Sequence, residues 1–122
     1  MRRSAAGRRF YRLTRMSPPT ENDFVPQGQR PGYRIGAAVD PALREAIMYG
    51  VSVFDTVRAT RAQNDVFAVR SSGSPFGFIA TLDVPPDSGI ECDDTFGNEH
   101  HWDLYGTRLE LLACVTPPDI EL

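Results

Sequence analysis

The stretch DPALREAIMYGVSVFDT, residues 40–56, decides the fold, because it predicts a helix, a short strand and the start of a second helix in direct succession. Asp40 is a good N-cap, and Pro41 suits the first helical position, where its missing N–H costs nothing. Gly50 is expected to stop this helix. The mostly apolar residues 51–54 that follow predict a short, buried strand.

The chain before this stretch predicts one strand and much irregular structure. Residues 10–15 alternate apolar or aromatic with polar side chains, which is typical of a half-buried strand. Repeated prolines and glycines over residues 16–38 favour loops, with one helical turn that begins after Thr20. Residues 1–9 are rich in arginine but lack the apolar stretch of an export signal, so we expect a flexible leader.

The chain after this stretch begins with a helix that Thr56 caps and that runs to about Val69. Beyond it we expect a loop over 71–75, strands over 77–84 and 90–96, and an irregular segment rich in histidine and aromatic residues over 97–106. The apolar cluster of residues 109–115 fits a helix or a strand equally well.

The length indicates one domain over residues 10–122. The predicted helices and strands favour an α+β fold with a mostly antiparallel, split or strongly bent sheet and two or three short helices. Hydrophobic residues make up 41% and charged residues 24% of the chain, as in average globular proteins. No apolar run approaches the roughly 18 residues of a membrane span. The two cysteines, Cys92 and Cys114, predict reduced thiols and a cytoplasmic location. Their spacing disfavours a metal site shared with His100 and His101.

Charge is distributed unevenly along the chain. Six arginines precede the first acidic residue, Glu21, whereas from Asp83 onward ten acidic residues face only Arg108. We therefore expect the two ends to attract one another, and the acidic C-terminal half offers a surface for a basic protein partner. Nucleic acid is disfavoured as a partner because the acidic body would repel phosphates. All 13 basic residues are arginine, which fits either a GC-rich bacterial genome or phosphate binding.

The familiar Walker, dinucleotide, zinc-protease and nucleophile-elbow motifs are absent, which leaves three separated pieces that could carry chemistry. They are Arg12 in the first strand, residues 49–54, and residues 99–102. An arginine suits a pyrophosphate, a serine with aromatic rings suits a ribose and a planar base, and an acid or imidazole suits proton transfer. Each piece also has a structural interpretation, as an outward strand position, as core packing, or as a solvated turn beside a packed Trp102.

The order of these pieces resembles the ADP-ribosyltransferase-like superfamily. Residues 10–13 stand early, residues 49–54 run into a helical stretch over 55–62, and a polar position follows late. The chain is also similar to small actinobacterial proteins that begin with a Tyr-Arg strand and end near a His-Trp-x-x-x-Gly segment, here residues 101–106. In the superfamily an early strand holds the dinucleotide through arginine or histidine, a middle strand supplies a small hydroxyl residue, and a late strand carries the catalytic glutamate or a substitute.

The resemblance implies NAD as the substrate, and transfer or hydrolysis at the nicotinamide–ribose bond. No metal is expected. It assigns the following roles: Arg12 on the phosphates or ribose, Ser52 in the middle-strand role, Tyr49 or Phe54 beneath the nicotinamide, Trp102 as a shield, and Glu99 or His101 in the late catalytic role. The chain departs from the family at the late position, because Glu99 falls in a predicted loop. The alternative is a non-catalytic interaction module, and convergence of Arg12, Ser52 and His101 in one cleft discriminates between the two.

Overall fold

A computed structural model describes residues 1–70 and 76–122 of the chain. The elements in this part are β1 (Arg3–Ser4), β2 (Arg9–Thr14), two 3₁₀ turns (Glu21–Phe24 and Gln27–Gln29), α1 (Pro41–Tyr49), β3 (Val51–Phe54), α2 (Val57–Arg70), β4 (Phe78–Asp83), β5 (Glu91–Asp93), β6 (His101–Tyr105), α3 (Arg108–Ala113) and β7 (Val115–Glu121). The helix, strand and second helix predicted from residues 40–56 are confirmed, and Asp40 caps α1 by accepting from the N–H of Ala42. The loop predicted over 71–75 lies outside the described residues.

All seven strands belong to one open antiparallel sheet in the order β1-β5-β6-β3-β2-β4-β7. The prediction of a small α+β domain with an antiparallel sheet is therefore confirmed. β2 and β3 share a single registered pair, Tyr11 with Phe54, whereas β2 pairs with β4 along its whole length. The sheet is consequently weakly joined at its centre, between β2 and β3.

One face of the strand pair β3–β6 packs into the hydrophobic core. Val51 opposes Leu104 and Val53 opposes Trp102, and all four side chains are buried. Phe10 of β2, Leu111 of α3, and Phe24 of the first 3₁₀ turn pack into the same hydrophobic cluster. Because strand side chains alternate, the intervening residues of β3 and β6 lie on the opposite face.

Two of the expected elements differ from the structure. The predicted irregular segment of residues 97–106 contains strand β6, in which polar His101 and Asp103 alternate with apolar Trp102 and Leu104. This alternation spans only four residues, which is the shortest run that indicates a strand. The predicted strand over 90–96 is reduced to Glu91–Asp93.

The undecided cluster of residues 109–115 is resolved as a short helix, α3, followed by β7 at the edge of the sheet. An edge strand tolerates the missing N–H groups of Pro117 and Pro118.

The arginine-rich segment of residues 1–9 is attached to the body of the domain. Arg3–Ser4 pair with β5, and Ala5 is completely buried, with its N–H donating to the carbonyl of Ile90. Arginines of this segment pair with the acidic half, as in the 2.6 Å contact between Arg9 Nε and Asp83 Oδ1. The expected attraction between the two ends thus takes the form of specific ion pairs.

No helix in the described part of the chain has the length and apolar composition that a bilayer crossing requires.

Candidate functional site

The polar face of the β3–β6 pair brings a serine and a histidine together. The register sets Ser52 opposite Asp103 and Phe54 opposite His101, so all four side chains project to the same side of the sheet. Ser52 Oγ lies 2.6 Å from His101 Nε2, within hydrogen-bonding distance. Ser52 is exposed, so its hydroxyl can meet both the imidazole and a ligand.

The His101 ring is held between two aromatic side chains. Phe54 and Phe96 each meet it edge-on, with ring centroids 5.4 Å away. Burial lowers the pKa of His101, so the imidazole is neutral at physiological pH. Its Nδ1 is buried without a hydrogen-bond partner in the described part of the chain. Leaving an acceptor unpaired costs less than burying an unpaired N–H, so we assign the proton to Nε2, which then donates to Ser52 Oγ.

This geometry argues against an activated serine nucleophile. In a catalytic triad, Nε2 of the histidine accepts the serine proton and an acid holds Nδ1. Here the described residues offer no acid to Nδ1 of His101, and Nε2 is a donor in the assigned tautomer. The hydroxyl proton of Ser52 is instead directed away from the imidazole, where it can be donated to a ligand oxygen.

Asp103 is a buried acid that the sequence analysis did not single out. Its side chain lies against Gly50, where an added Cβ would come within 2.9 Å of the Asp103 Cβ. The residue is 2% exposed, and its Oδ2 has no partner among the described residues. Burial, followed by the charge of the neighbouring Asp93, raises the pKa of Asp103 to about 7. Recognition of β6 as a strand would have placed Asp103 on the same face as His101.

Arg12 lies on the opposite face of the sheet from His101. The pairing of Tyr11 with Phe54 puts Arg12 level with Val53, and therefore on the core side. Its guanidinium donates to the carbonyl of Asp23 at 2.6 Å and to the carbonyl of Ser52 at 2.5 Å. Burial, followed by the charge of Arg30, lowers the pKa of Arg12 to about 10. Arg12 thus links β2 to β3 where the two strands share few hydrogen bonds. Its contact with Ser52 is to the backbone carbonyl and not to the hydroxyl.

Trp102 is also on the core side, and the N-terminal segment covers it. The guanidinium carbon of Arg8 lies 4.3 Å from the centre of the indole ring, and that of Arg3 lies 5.3 Å from it. The indole Nε1 donates to Asp55 Oδ2 at 3.2 Å. Only 9% of Trp102 is exposed, so the indole packs within the domain.

Tyr49 and Glu99 stand apart from the serine and the histidine. Tyr49 is 57% exposed and lines an open depression at the end of the sheet together with Arg2, Tyr105 and Arg108. Glu99 is exposed in the turn that precedes β6. The structure therefore brings Ser52, Phe54 and His101 together, and it leaves Arg12, Trp102, Tyr49 and Glu99 outside that group.

No group of three or more histidine, cysteine, aspartate or glutamate side chains within residues 1–70 and 76–122 is arranged to hold a metal ion. Cys92 and Cys114 are buried free thiols. Comparison of the chain with protein-family models, with curated proteins and with solved structures finds no match.

Proposed function

We propose that this protein binds NAD in an ADP-ribosyltransferase-like manner, with the ribose next to the nicotinamide at Ser52 and His101. The supporting observation is that the early, middle and late strands of the resemblance, β2, β3 and β6, are neighbours in the sheet. The hydroxyl of Ser52 on the middle strand is hydrogen-bonded to His101 on the late strand. The proposed roles require these three strands to be adjacent and the residues of the middle and late strands to be in contact.

In this proposal the protein supplies hydrogen bonds to the ribose. Nε2 of His101 holds the oxygen of Ser52, and the serine proton is donated to a ribose hydroxyl. Arg12 acts as a positioning residue, because it bonds the carbonyl of Ser52 and faces away from the ligand. Its assignment to the dinucleotide phosphates is thus the least supported of the expected roles, together with the shielding role of Trp102.

Cleavage of the nicotinamide–ribose bond passes through an oxocarbenium-like state, which a carboxylate stabilises by its charge. Glu99 is the exposed carboxylate closest in sequence to His101, whereas Asp103 is buried and, with its pKa raised to about 7, is only partly ionised at neutral pH. Although it lies outside the Ser52–His101 group, Glu99 is exposed in the turn that leads into His101, and it is therefore the group that we propose for this step. The acceptor is an alcohol or amine in transfer, and water in hydrolysis.

The test is incubation with NAD, with free nicotinamide measured by chromatography and NAD binding by a shift in the melting temperature. Ser52→Ala is expected to weaken both, and Glu99→Gln to abolish nicotinamide release while the melting shift remains. Asp87→Asn is the matched control, because Asp87 is an exposed loop carboxylate in another part of the chain. No nicotinamide release together with no melting shift at millimolar NAD would remove the proposal.

The interaction-module hypothesis has weaker support, because the acidic half is already partly neutralised within the molecule. Asp83 pairs with Arg9, Glu91 with Arg2, Asp94 with Arg3, and Asp93 with the N-terminal ammonium group. A basic partner would have to compete with these contacts. Binding of a basic protein partner that strengthens when the N-terminal arginines are replaced by glutamine would favour this second function.

A further inference from the structure

A second candidate site lies on the outer side of β3, where α2 and the turn before β6 form the walls of a groove. Its volume is about 460 Å³, which is within the range of small-molecule pockets. Ala59, Ala62 and Val66 line one wall along one side of α2, and Phe54 lies beneath them. The groove thus has an apolar surface against which a carbon skeleton can pack.

His100 borders this groove with a fixed orientation. Its Nδ1 lies 2.8 Å from Asp55 Oδ1, while the second oxygen of Asp55 accepts from the indole N–H of Trp102. Because the carboxylate only accepts, the neutral imidazole carries its proton on Nδ1, and Nε2 is left with a lone pair. The described part of the chain gives Nε2 no partner, and 44% of the His100 side chain is exposed. A hydroxyl group in the groove can therefore donate to Nε2.

The same groove carries a positive charge. Arg58 lines it from the first turn of α2 and is exposed, and no ion pair occupies its guanidinium in the described residues. The other polar side chains of the lining, Thr56, Gln63 and Asn98, are uncharged. The lining therefore favours an anionic group, and arginine matches a carboxylate with two parallel hydrogen bonds.

We propose that this groove binds a small hydroxylated organic carboxylate. Its carboxylate pairs with Arg58, its hydroxyl donates to Nε2 of His100, and its carbon skeleton packs on Ala59, Ala62 and Val66. This site adjoins the Ser52–His101 pair through Phe54, which packs against His101, but neither Ser52 nor His101 lines the groove. The inference stands independently of any reaction with NAD.

The experiment uses the full chain and three probes, which are 4-hydroxybenzoate, benzoate and phenol. Binding is followed by NMR through the amide signals of residues 54–66 and 98–100 and the ring signals of His100. We expect 4-hydroxybenzoate to bind about tenfold more tightly than phenol, which lacks the carboxylate, and about fivefold more tightly than benzoate, which lacks the hydroxyl.

Variants separate the two polar contacts. Arg58→Gln is expected to remove the preference for 4-hydroxybenzoate over phenol. His100→Asn is expected to remove the preference for 4-hydroxybenzoate over benzoate, since the asparagine amide can still donate to Asp55 but offers nothing in place of Nε2. Arg61→Gln, at another exposed arginine of α2, is the control and should leave all three affinities unchanged.

Three results would overturn the proposal. The first is an absence of signal changes in the groove at millimolar 4-hydroxybenzoate. The second is signal changes confined to another surface. The third is groove binding in which phenol equals 4-hydroxybenzoate, because the positive charge of Arg58 would then play no part.

Discussion

On one face of the β3–β6 pair, Val51, Val53 and Leu104 are at most 1% exposed and pack into the core. On the other face, Ser52, His101 and Asp103 place a hydroxyl, an imidazole and a carboxyl group side by side. Two of these polar groups, His101 Nδ1 and Asp103 Oδ2, are buried without a partner in the described residues. The comparison teaches that the same two strands stabilise the fold on one face and carry a free-energy cost on the other.

Arg12 provides the largest expected effect, since it is a charged side chain on the core face. Arg12→Gln removes charged hydrogen bonds to the carbonyls of Asp23 and Ser52, and we expect a loss of about 3 kcal/mol in the free energy of unfolding. Urea unfolding measures this loss. Arg61→Gln is the control, because Arg61 is exposed on α2, and a loss as small as that of the control would show that Arg12 does not hold β2 to β3.

Asp103 tests the cost on the polar face. Its pKa is raised from 3.8 to about 7, so the folded state binds more protons than the unfolded state between these values, and stability falls as the pH rises through that range. The full pKa shift corresponds to about 4 kcal/mol. Asp103→Asn removes the charge, and we expect it to stabilise the protein at about pH 8 by roughly half of that amount, because the protein and water relax around a buried charge, and by little near pH 4.

The measurement for Asp103 is the difference in unfolding free energy between the two proteins across this pH range. His101 is present in both, so its own titration cancels in the difference. Asp87→Asn serves as the control for an exposed carboxylate. If Asp103→Asn destabilises the protein at high pH, the carboxylate makes a favourable contact, and the contrast between the two faces is wrong.

The two faces also differ in how well the sequence predicts them. Helix α1 and strand β3 are specified locally, by the capping of Asp40, the stop at Gly50 and the apolar side chains of β3. Strand β6 is specified less clearly, because its alternation of polar and apolar residues spans only residues 101–104. The pairing with β3 is what shows that His101 and Asp103 both face the side of Ser52. Arg12 and Trp102 are expected in the site but face the core. Their direction depends on the register between strands, which their spacing along the chain does not encode.

Ser52 tests the contact between the two strands of the polar face. Ser52→Ala deprives Nε2 of His101 of its hydrogen-bond partner, and we expect a loss of about 1 kcal/mol in unfolding free energy. The pKa of His101, followed by NMR of the imidazole, should also change, because the neutral ring loses a contact. Thr56→Ala and Ser88→Ala are unsuitable as controls, because both hydroxyls accept from a backbone N–H. The donor is Ala59 for Thr56 and Ile90 for Ser88.

Ser52→Cys is therefore the matched variant for this prediction. It retains a weak donor and acceptor at the same position and should recover part of the lost stability. An unchanged His101 pKa in Ser52→Ala would show that the serine and the imidazole do not interact in solution.

Arg9 gives the smallest expected effect. It tests whether an exposed polar contact stabilises the domain as much as a buried one does. It forms a two-pronged contact with Asp83 at 2.6 Å and 3.2 Å, yet its side chain is 59% exposed. Ion pairs of this kind contribute little, because water already solvates both charges and salt screens them. Arg9→Gln should therefore lower the unfolding free energy by less than any of the preceding variants changes it, and by less still at high salt. A salt-independent loss as large as that of Arg12→Gln would mean that exposed polar contacts stabilise this domain as strongly as buried ones, and the cost assigned to the polar face of β3–β6 would then need another cause.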